Sequence, residues 1–333
     1  MTDDTTAALA AARASDQATW GRIAEAHRGD LRLHCYRMLA AFHDAEDMVQ
    51  ETLLRAWRSR ATFEGRAPFR AWLYGIATNA CLDFLAKHKH RAPSDDSDTF
   101  TTVPPALAEV PWLQPYPDAL LDPARAVAAK ETIGLAFLAA VQLLPPRQRA
   151  ALLLCDVLDV SAKEAGDLLG LSPASVNSAL QRARATLRAH DESSTPTWKP
   201  GLDPGEQQRA LLARYVSATD RGDAAGLAAL LAEDIRFSMP PEPGTWIGRD
   251  TVVGSWVKGG FGQTWFGDMR ALETRANGTP AVACYLRRPG QPRYQALTLD
   301  VLRIQDGLIA EIVTFPLRPV LGAFDLPAEI WLR

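Results

Sequence analysis

The chain has 333 residues, of which 47% are hydrophobic and 23% are charged, and its formal net charge is −3. This length exceeds one typical hydrophobic core and indicates two or three domains of an ordinary globular protein. No apolar run approaches the roughly 18 residues of a membrane span, and the acidic, alanine-rich start lacks the basic and apolar parts of a signal peptide. These features exclude a membrane or secreted class, and we expect a cytoplasmic protein.

The cysteines are scattered and form no C-x-x-C pair. They are Cys35, Cys81, Cys155 and Cys284. This pattern is typical of small buried apolar side chains in a reducing compartment. A zinc site built from His34, Cys35 and His43 is the alternative, but we expect no metal and no cofactor.

Charge is distributed unevenly along the chain. Residues 20–92 carry 12 basic and 8 acidic side chains, and residues 123–190 carry 8 and 5. Between them, residues 93–122 carry six acids and no base. Residues 203–333 are nearly neutral, with 14 bases and 15 acids. The basic excess of the first two blocks is too small to indicate nucleic-acid binding by itself.

Composition and periodicity divide the chain into six segments. We predict a helical domain over 16–91, an acidic proline-rich linker over 92–123, a second helical domain over 124–190, a second linker over 191–205, a mixed domain over 206–318 and a tail over 319–333. In the mixed domain, helices are expected at 206–221 and 223–232, and strands at 235–239, 281–286, 294–304 and 308–315.

The first helical block contains the run DAEDMVQETLLRAW at 44–57, which predicts an amphipathic helix. Asp47, Glu51 and Arg55 share one face at i, i+4 spacing, and Asp44 is placed to cap the helix. The spacing alone favours a solvated amphipathic helix without a binding role. The run FEGRAPFRAWLYGIATNACLD follows at 63–83, with Gly and Pro shaping a loop before another helix.

The second helical block predicts a helix-turn-helix. Ser161 and Glu164 form a capping-box pattern, Gly170 supplies a turn, and Ser172-Pro173 opens the next helix. In that helix, Val176, Leu180, Ala183 and Leu187 fall on an apolar face, and polar or small side chains fall on the other. Asn and Gln can pair with adenine and Arg with guanine. A helical hairpin without a DNA role is the alternative.

These two blocks resemble the extracytoplasmic-function (ECF) group of sigma-70 family RNA polymerase sigma factors. Residues 20–91 resemble sigma region 2, and residues 123–190 resemble region 4, including the run Leu144-Pro145-x-Arg147-Gln148-Arg149. The resemblance implies that the first block binds core polymerase and opens the −10 element, and that the second reads the −35 element. Many relatives carry a base where this chain has Asn177, which leaves its promoter preference open.

The resemblance also implies roles for individual residues. Polymerase binding is expected from Asp44, Asp47, Gln50, Glu51 and Arg55. Recognition and melting of the −10 element are expected from Phe63, Arg66, Phe69, Arg70, Asn79, Lys87, Lys89 and Arg91. Recognition of the −35 element is expected from Ser175, Asn177, Ser178, Gln181, Arg182 and Arg184. Melting needs a wedge or stacking surface for an extracted base and cations for the strand backbone, and these residue types supply both.

The linker and the last domain allow more than one interpretation. The segment 110–118, VPWLQPYPD, either threads the polymerase active-site cleft or is a plain tether with Trp112 packed on a neighbouring domain. Residues 206–318 resemble the SnoaL-like group, which implies an α+β cone-shaped barrel with a pocket. Aromatic residues line that pocket or form the core: Tyr215, Trp246, Trp256, Trp265 and Phe266. Asp300 is expected to be exposed, and the tail either docks on the rest of the chain or covers its own sheet.

We therefore predict a multidomain protein with two all-α sigma domains and a C-terminal α+β domain. It should be a promoter-specificity subunit and not an enzyme, with the last domain regulating its activity in cis. The expected partners are core RNA polymerase, through its β′ clamp and β subunits, and promoter DNA. An anti-sigma protein and a small-molecule ligand of the last domain stay open. The alternatives are a DNA-binding regulator independent of polymerase and a bifunctional protein whose last domain binds a ligand or is an enzyme.

Overall fold

The computed structural model describes residues 2–65, 67–89, 110–122, 132–193 and 205–331. The chain divides into two compact units. The helical unit comprises residues 1–104 and 137–197, and the mixed unit comprises residues 105–136 and 198–333. The two sigma-like blocks thus belong to one unit. The connecting segment, residues 105–136, belongs to the other unit.

The helical unit contains two groups of helices. The first group is α1 Thr2–Ala14, α2 Gln17–Glu25, α3 Arg28–Leu39, α4 Phe42–Arg58 and α5 Phe69–Lys87, with a 3-10 turn at Arg60–Thr62. The second group is α6 Leu135–Gln142, which begins in the mixed unit, α7 Pro146–Leu152, α8 Ala162–Leu169 and α9 Pro173–Ser193, with a π turn at Leu153–Val157. The N-terminal helix α1 was not predicted, although its alanine-rich sequence has high helix propensity.

An aromatic cluster holds the first group of helices together. The Trp20 ring lies 5.1 Å from Phe69 and 5.9 Å from Trp72, both edge to face. Phe63 lies 5.2 Å from both Phe69 and Trp72. Such pairs stabilise a core beyond the area they bury. His34 is also fully buried, and burial lowers its pKa to about 3. Its Nε2 lies 2.8 Å from Thr78 Oγ1.

The two groups of helices pack on each other within the helical unit. Arg149 of α7 is fully buried and donates to Met38 O at the end of α3, at 2.6 Å. On α5, a Cβ at Gly75 would lie 2.5 Å from Leu168 Cδ2 of α8, so a larger residue there would force the Leu168 side chain to shift. Asn79 of α5 donates through Nδ2 to Leu168 O at 3.0 Å. These contacts join the sigma-like blocks into one body.

The mixed unit is built on one twisted sheet. Its helices are α10 Glu206–Asp220, α11 Ala224–Ala228 and α12 Arg249–Lys258. Its strands are β1 Leu231–Ser238, β2 Thr245–Ile247, β3 Asp268–Ala276, β4 Thr279–Arg287, β5 Arg293–Gln305, β6 Leu308–Pro316 and β7 Glu329–Trp331. The strand order is β2-β1-β6-β5-β4-β3, with β7 also paired to β5. Only the β1–β6 pair is parallel among these described strands.

Two features of this sheet bear on the sequence predictions. Strands β2 and β3 were not predicted, although Asn277-Gly278 after β3 is a strong hairpin signal, with φ of 54° and 77°. The tail forms a 3-10 helix, Arg318–Phe324, followed by the strand β7. Trp331 of β7 pairs with Arg293 of β5. The tail therefore completes its own sheet, which is one of the two alternatives given for it above. No helix among the described residues has the length and apolarity to cross a membrane.

Candidate nucleic-acid interface

Helix α4 presents one exposed stripe. It begins at Phe42, with Ala41 as its N-cap, so Asp44 lies inside the first turn and does not cap it. The exposed side chains recur at helical spacing: His43, Asp47, Gln50, Leu54 and Arg58. Leu54 is 43% exposed and adds an apolar side chain to this stripe. Sequence reasoning missed Leu54 because an apolar residue in an amphipathic helix is usually assigned to the core.

An ion-pair chain runs beside this stripe. Arg55 Nε lies 2.7 Å from Glu51 Oε1, and its Nη1 lies 2.7 Å from Asp83 Oδ2 on α5. Hydrogen bonds from the guanidinium to Glu51 and Asp83 raise the pKa of Arg55. Arg55 thereby links α4 to α5, and Glu51 is oriented by Arg55 at the edge of the stripe. The stripe and Glu51 form one face that carries two carboxylates and Leu54 along most of its length and the basic Arg58 at its end.

The residues predicted to melt DNA occupy two environments. Phe63 and Phe69 are buried in the aromatic cluster, so neither ring can stack on a base in this arrangement. Arg70 is exposed and lies 3.3 Å from Asp30 Oδ2. Its Nη2 donates to Tyr74 Oη at 2.9 Å. Lys87 and Lys89 are exposed at the end of α5. Arg66 and Arg91 lie outside the described residues.

Helix α1 lies against the predicted melting loop. Phe69 N donates to Thr5 Oγ1 at 3.1 Å, which caps the start of α5. A Cβ at Gly65, where φ is 72°, would lie 3.4 Å from Leu9 Cδ2. Asn79, also predicted to act here, is held by its bond to Leu168 O. The loop is therefore covered on one side by the N-terminal helix.

The helix-turn-helix has the expected caps. Glu164 N donates to Ser161 Oγ at 3.2 Å, and Ser161 N donates to Glu164 Oε2 at 3.1 Å. Hydrogen bonds from Ser161 lower the pKa of Glu164. Gly170 ends α8 in the left-handed region at φ 65°, and Ser172 Oγ accepts from the backbone of α9. The turn geometry matches the sequence prediction.

Helix α9 separates its two faces cleanly. Val176, Leu180 and Ala183 are buried, while all the predicted reading residues are exposed: Ser175, Asn177, Ser178, Gln181, Arg182 and Arg184. Arg184 makes a two-pronged ion pair with Asp156, at 2.9 Å from Nε and 2.6 Å from Nη2. A polar exposed face on the second helix of this motif suits the major groove of DNA.

Known protein families match the chain in the order of its two helical blocks and its mixed domain. Residues 23–91 match sigma-70 region 2, residues 134–187 match sigma-70 region 4, and residues 212–312 match the SnoaL-like domain. The ECF RNA polymerase sigma factor SigG of Mycobacterium tuberculosis is 38% identical over 316 residues, which cover 92% of this chain and 83% of SigG. The chain belongs to the ECF sigma factor family.

Two further comparisons agree with this family assignment. The ECF sigma factor SigJ of Mycobacterium tuberculosis is 32% identical over 217 residues, covering 64% of this chain and 62% of SigJ. The crystal structure of SigJ from the same species aligns with a TM-score of 0.57 at 24% identity, over 91% of this chain and 98% of SigJ. At that identity the structural likeness shows the fold.

The comparisons settle the identity of the molecule. They confirm the predicted sigma regions 2 and 4, the SnoaL-like domain and the fold class. The chain is an ECF RNA polymerase sigma factor with a SnoaL-like C-terminal domain, and a regulator independent of polymerase is not favoured. Its relatives are sigma factors and not enzymes. The assignments of single residues stay predictions.

Proposed function

We propose that this sigma factor docks on core polymerase through the exposed stripe of α4 and reads the −35 element with α9. The observation that carries the proposal is the clean separation of faces on α9, because every residue predicted to read bases is exposed while the apolar face is buried. We further propose that the loop at 63–70 and the basic end of α5 act on the −10 element.

The partners follow from these surfaces. Asp44, Asp47, Gln50 and Glu51 give α4 an acidic and polar edge beside Leu54, which suits a basic partner surface such as we propose for the polymerase β′ clamp and β subunits. Promoter DNA is the proposed partner of α9. A separate anti-sigma protein and a small-molecule ligand of the mixed unit complete the proposed partners. The proposed location is the cytoplasm, where polymerase acts.

We propose that the free protein is a closed form. The buried Arg149 and the bond from Asn79 to Leu168 join the two DNA-reading blocks, and α1 covers the loop at 63–70. The proposed contacts with the −10 and −35 elements need the loop uncovered and Asn79 released. A partner that binds the open form better than the closed form would shift the population toward it.

The mixed unit is proposed to regulate activity in cis through the connecting segment. Asn277 is fully buried in the β3–β4 turn and binds that segment at two places. Its Oδ1 accepts from Tyr116 N at 2.9 Å, and its Nδ2 donates to Ile133 O at 2.6 Å. Its own backbone N donates to Tyr116 O at 2.9 Å. We call this set of bonds the Asn277 clip.

A second contact supports the clip. Asp118 Oδ1 accepts from Gly278 N at 2.7 Å, and Asp118 Oδ2 lies 3.2 Å from Arg275 Nε. The segment thus satisfies its main-chain groups with β3 and β4. This favours a packed tether over a segment that is always available to polymerase. A segment that threads the polymerase cleft must first leave these bonds, so the mixed unit can oppose initiation by holding it.

Run-off transcription with core polymerase and genomic DNA tests the sigma-factor function directly. We expect promoter-specific transcripts that require both this chain and core polymerase. Transcripts that are the same with and without this chain would contradict the proposal.

Charge reversal on the α4 stripe is expected to weaken polymerase binding. Changing Asp47 and Glu51 together to Lys should reduce affinity for core polymerase by roughly tenfold or more, about 1.4 kcal/mol, because an acidic edge becomes basic. Affinity is measured by titration of labelled polymerase. Asp47→Lys alone keeps the Glu51–Arg55 pair and separates lost docking from a disturbed helix.

The matched control for this double variant is Glu242→Lys with Asp306→Lys. Both acids are exposed in the mixed unit, and the net charge changes by the same amount. Polymerase affinity should be unchanged in the control. Equal losses in the two double variants would mean that net charge matters and that the α4 face has no special role.

Truncation of the α9 reading face is expected to alter promoter choice. Gln181→Ala and Arg182→Ala should each cost about 1–3 kcal/mol at a cognate −35 element, confined to the base pair that each residue reads. Binding to a panel of single-base −35 variants measures the effect. Arg188→Ala, an exposed residue further along α9, serves as the control. An equal loss on every sequence would show that Gln181 and Arg182 contact phosphates instead.

A further inference from the structure

The mixed unit contains a cavity of about 400 Å³ that the function described above does not use. It lies between the sheet and the helices α10 and α12, and its wall is mainly apolar, with six aromatic side chains. The wall includes Phe237, Trp246, Trp256, Phe261, Phe266 and Met269. This volume and apolar lining are those of sites for small organic molecules. Trp265 is the exception among the five aromatic residues that the sequence assigned to either the core or the pocket. It is 63% exposed and does not line the cavity.

One carboxyl group lies on the cavity wall. Asp300 of β5 is only 8% exposed, which corrects the prediction of an exposed strand aspartate. Tyr215 Oη donates to its Oδ2 at 3.0 Å, and Thr314 Oγ1 donates to its Oδ1 at 2.7 Å. Cys284 Sγ lies 3.4 Å from the same Oδ2. An apolar core would not need this group of four converging polar side chains.

The protonation of this group favours an uncharged occupant. Burial raises the pKa of Asp300, and the bonds from Thr314 and Tyr215 oppose that rise. Burial and the nearby Asp300 raise the pKa of Tyr215 well above its usual value, so the phenol keeps its proton. No Lys, Arg or His stands among the described residues that line the cavity. An anionic ligand would therefore be desolvated beside a carboxyl group without a compensating cation.

We propose that this cavity binds a small, uncharged, mainly apolar molecule with one hydroxyl group, and that this hydroxyl hydrogen-bonds to the carboxyl of Asp300. The inference rests on the proposed ligand-binding role of the mixed unit and names the ligand class. The aromatic wall supplies contact area, and Asp300 fixes the polar end. Asp300 is among the residues that line the cavity, which places its carboxyl group within reach of an occupant.

Calorimetric titration of the full chain with three probes of one shape tests the proposal. The probes are 2-naphthol, 2-naphthoate and 2-naphthylmethylammonium, which are neutral, anionic and cationic at neutral pH. We expect 2-naphthol to bind and 2-naphthoate to bind at least roughly tenfold more weakly. Tighter binding of the ammonium probe, or equal binding of all three, would overturn the assigned ligand class while leaving a ligand site in place.

Two variants locate the site. Asp300→Asn removes the acid but keeps its shape, and the preference for 2-naphthol over 2-naphthoate should shrink to within roughly threefold. Trp256→Ala removes part of the apolar wall and should weaken the binding of 2-naphthol roughly tenfold. Thermal unfolding checks that each variant is folded, and the three-probe comparison on the unaltered chain needs no variant. If no probe binds at about 1 mM, a ligand-binding role for the mixed unit fails with the inference.

Discussion

Replacement of Arg149 by Ala is expected to lower the free energy of unfolding of the helical unit by roughly 3–5 kcal/mol. The guanidinium is fully buried and donates to Met38 O at 2.6 Å and to Gln142 Oε1 at 2.6 Å. Its Nη2 donates to Gln142 O at 2.9 Å and to Leu144 O at 3.1 Å. Removing it leaves several buried carbonyl groups without their donor, and each such group costs about 1–3 kcal/mol.

The same change should separate the two sigma blocks. Met38 lies at the end of α3 in region 2, while Gln142 ends α6 and Leu144 follows it in region 4, so one side chain spans both blocks. Burial lowers the pKa of Arg149 to about 9, so the group stays charged at neutral pH. We expect amide hydrogen exchange to rise at α3 and α7 together. Chemical denaturation followed by circular dichroism measures the loss of stability.

The neighbouring Arg147 is the matched control. It belongs to the same helix and the same sequence run but is exposed, so Arg147→Ala should change stability by no more than about 0.5 kcal/mol. Arg149→Lys keeps a charge but cannot reach all four acceptors, and should fall between Ala and the unaltered chain. If the Arg147 and Arg149 variants unfold at the same denaturant concentration, the bridge between the blocks has no energetic role.

Local patterns predicted the parts of the molecule that local chemistry decides. The capping box at Ser161, the turn at Gly170 and the two faces of α9 follow from short-range rules, and the structure has all three. The sigma regions were identified from long shared runs. The paired strands β5 and β6 were found because they alternate strongly, while β3 was missed because its polar residues mask the alternation.

Long-range partners explain what the sequence could not show. Asp300 was expected to be exposed, yet it is buried because Tyr215, 85 positions away, supplies a donor. Phe63 and Phe69 look like stacking wedges in a loop, but Trp20 gathers both into a core. Arg149 belongs to the run at 144–149 that resembles region 4, but nothing nearby in the sequence indicated that Met38 O would be its acceptor. In each case the decisive atom lies far along the chain.

The connecting segment shows the same limit. Seven prolines in 93–123 predicted an extended linker, and the described part, 110–122, has little regular structure. Its fixed position comes from Asn277, which lies 161 residues beyond Tyr116. The Asn277-Gly278 turn can be predicted from the sequence, but the side chain of Asn277 could equally have faced solvent. Its burial gives this turn a role beyond reversing the chain.

Replacement of Asn277 by Gly should therefore release the connecting segment and raise transcription. Glycine accepts the φ of 54° at this position, so the variant removes the side-chain bonds without straining the turn. Tyr116 N and Ile133 O lose their partners, which should cost roughly 2–4 kcal/mol in the docking of the segment. Limited proteolysis should then cut within 105–136 faster. Run-off transcription at limiting sigma factor should increase, because the segment no longer has to leave the mixed unit before it enters polymerase.

The β5–β6 turn provides the control for this change. Like Asn277-Gly278, Asp306-Gly307 places two residues with positive φ, 51° and 76°, in a hairpin turn. Unlike Asn277, Asp306 is exposed. Asp306→Gly should leave both proteolysis and transcription unchanged. Faster proteolysis of the Asn277→Gly variant with lower transcription would mean that the mixed unit presents the segment to polymerase instead of withholding it. Unchanged proteolysis would show that the clip does not hold the segment at all. Because the Asn277 clip binds both 116 and 133, its loss tests at one residue whether the C-terminal domain acts on the sigma factor through the segment that joins its two DNA-reading regions.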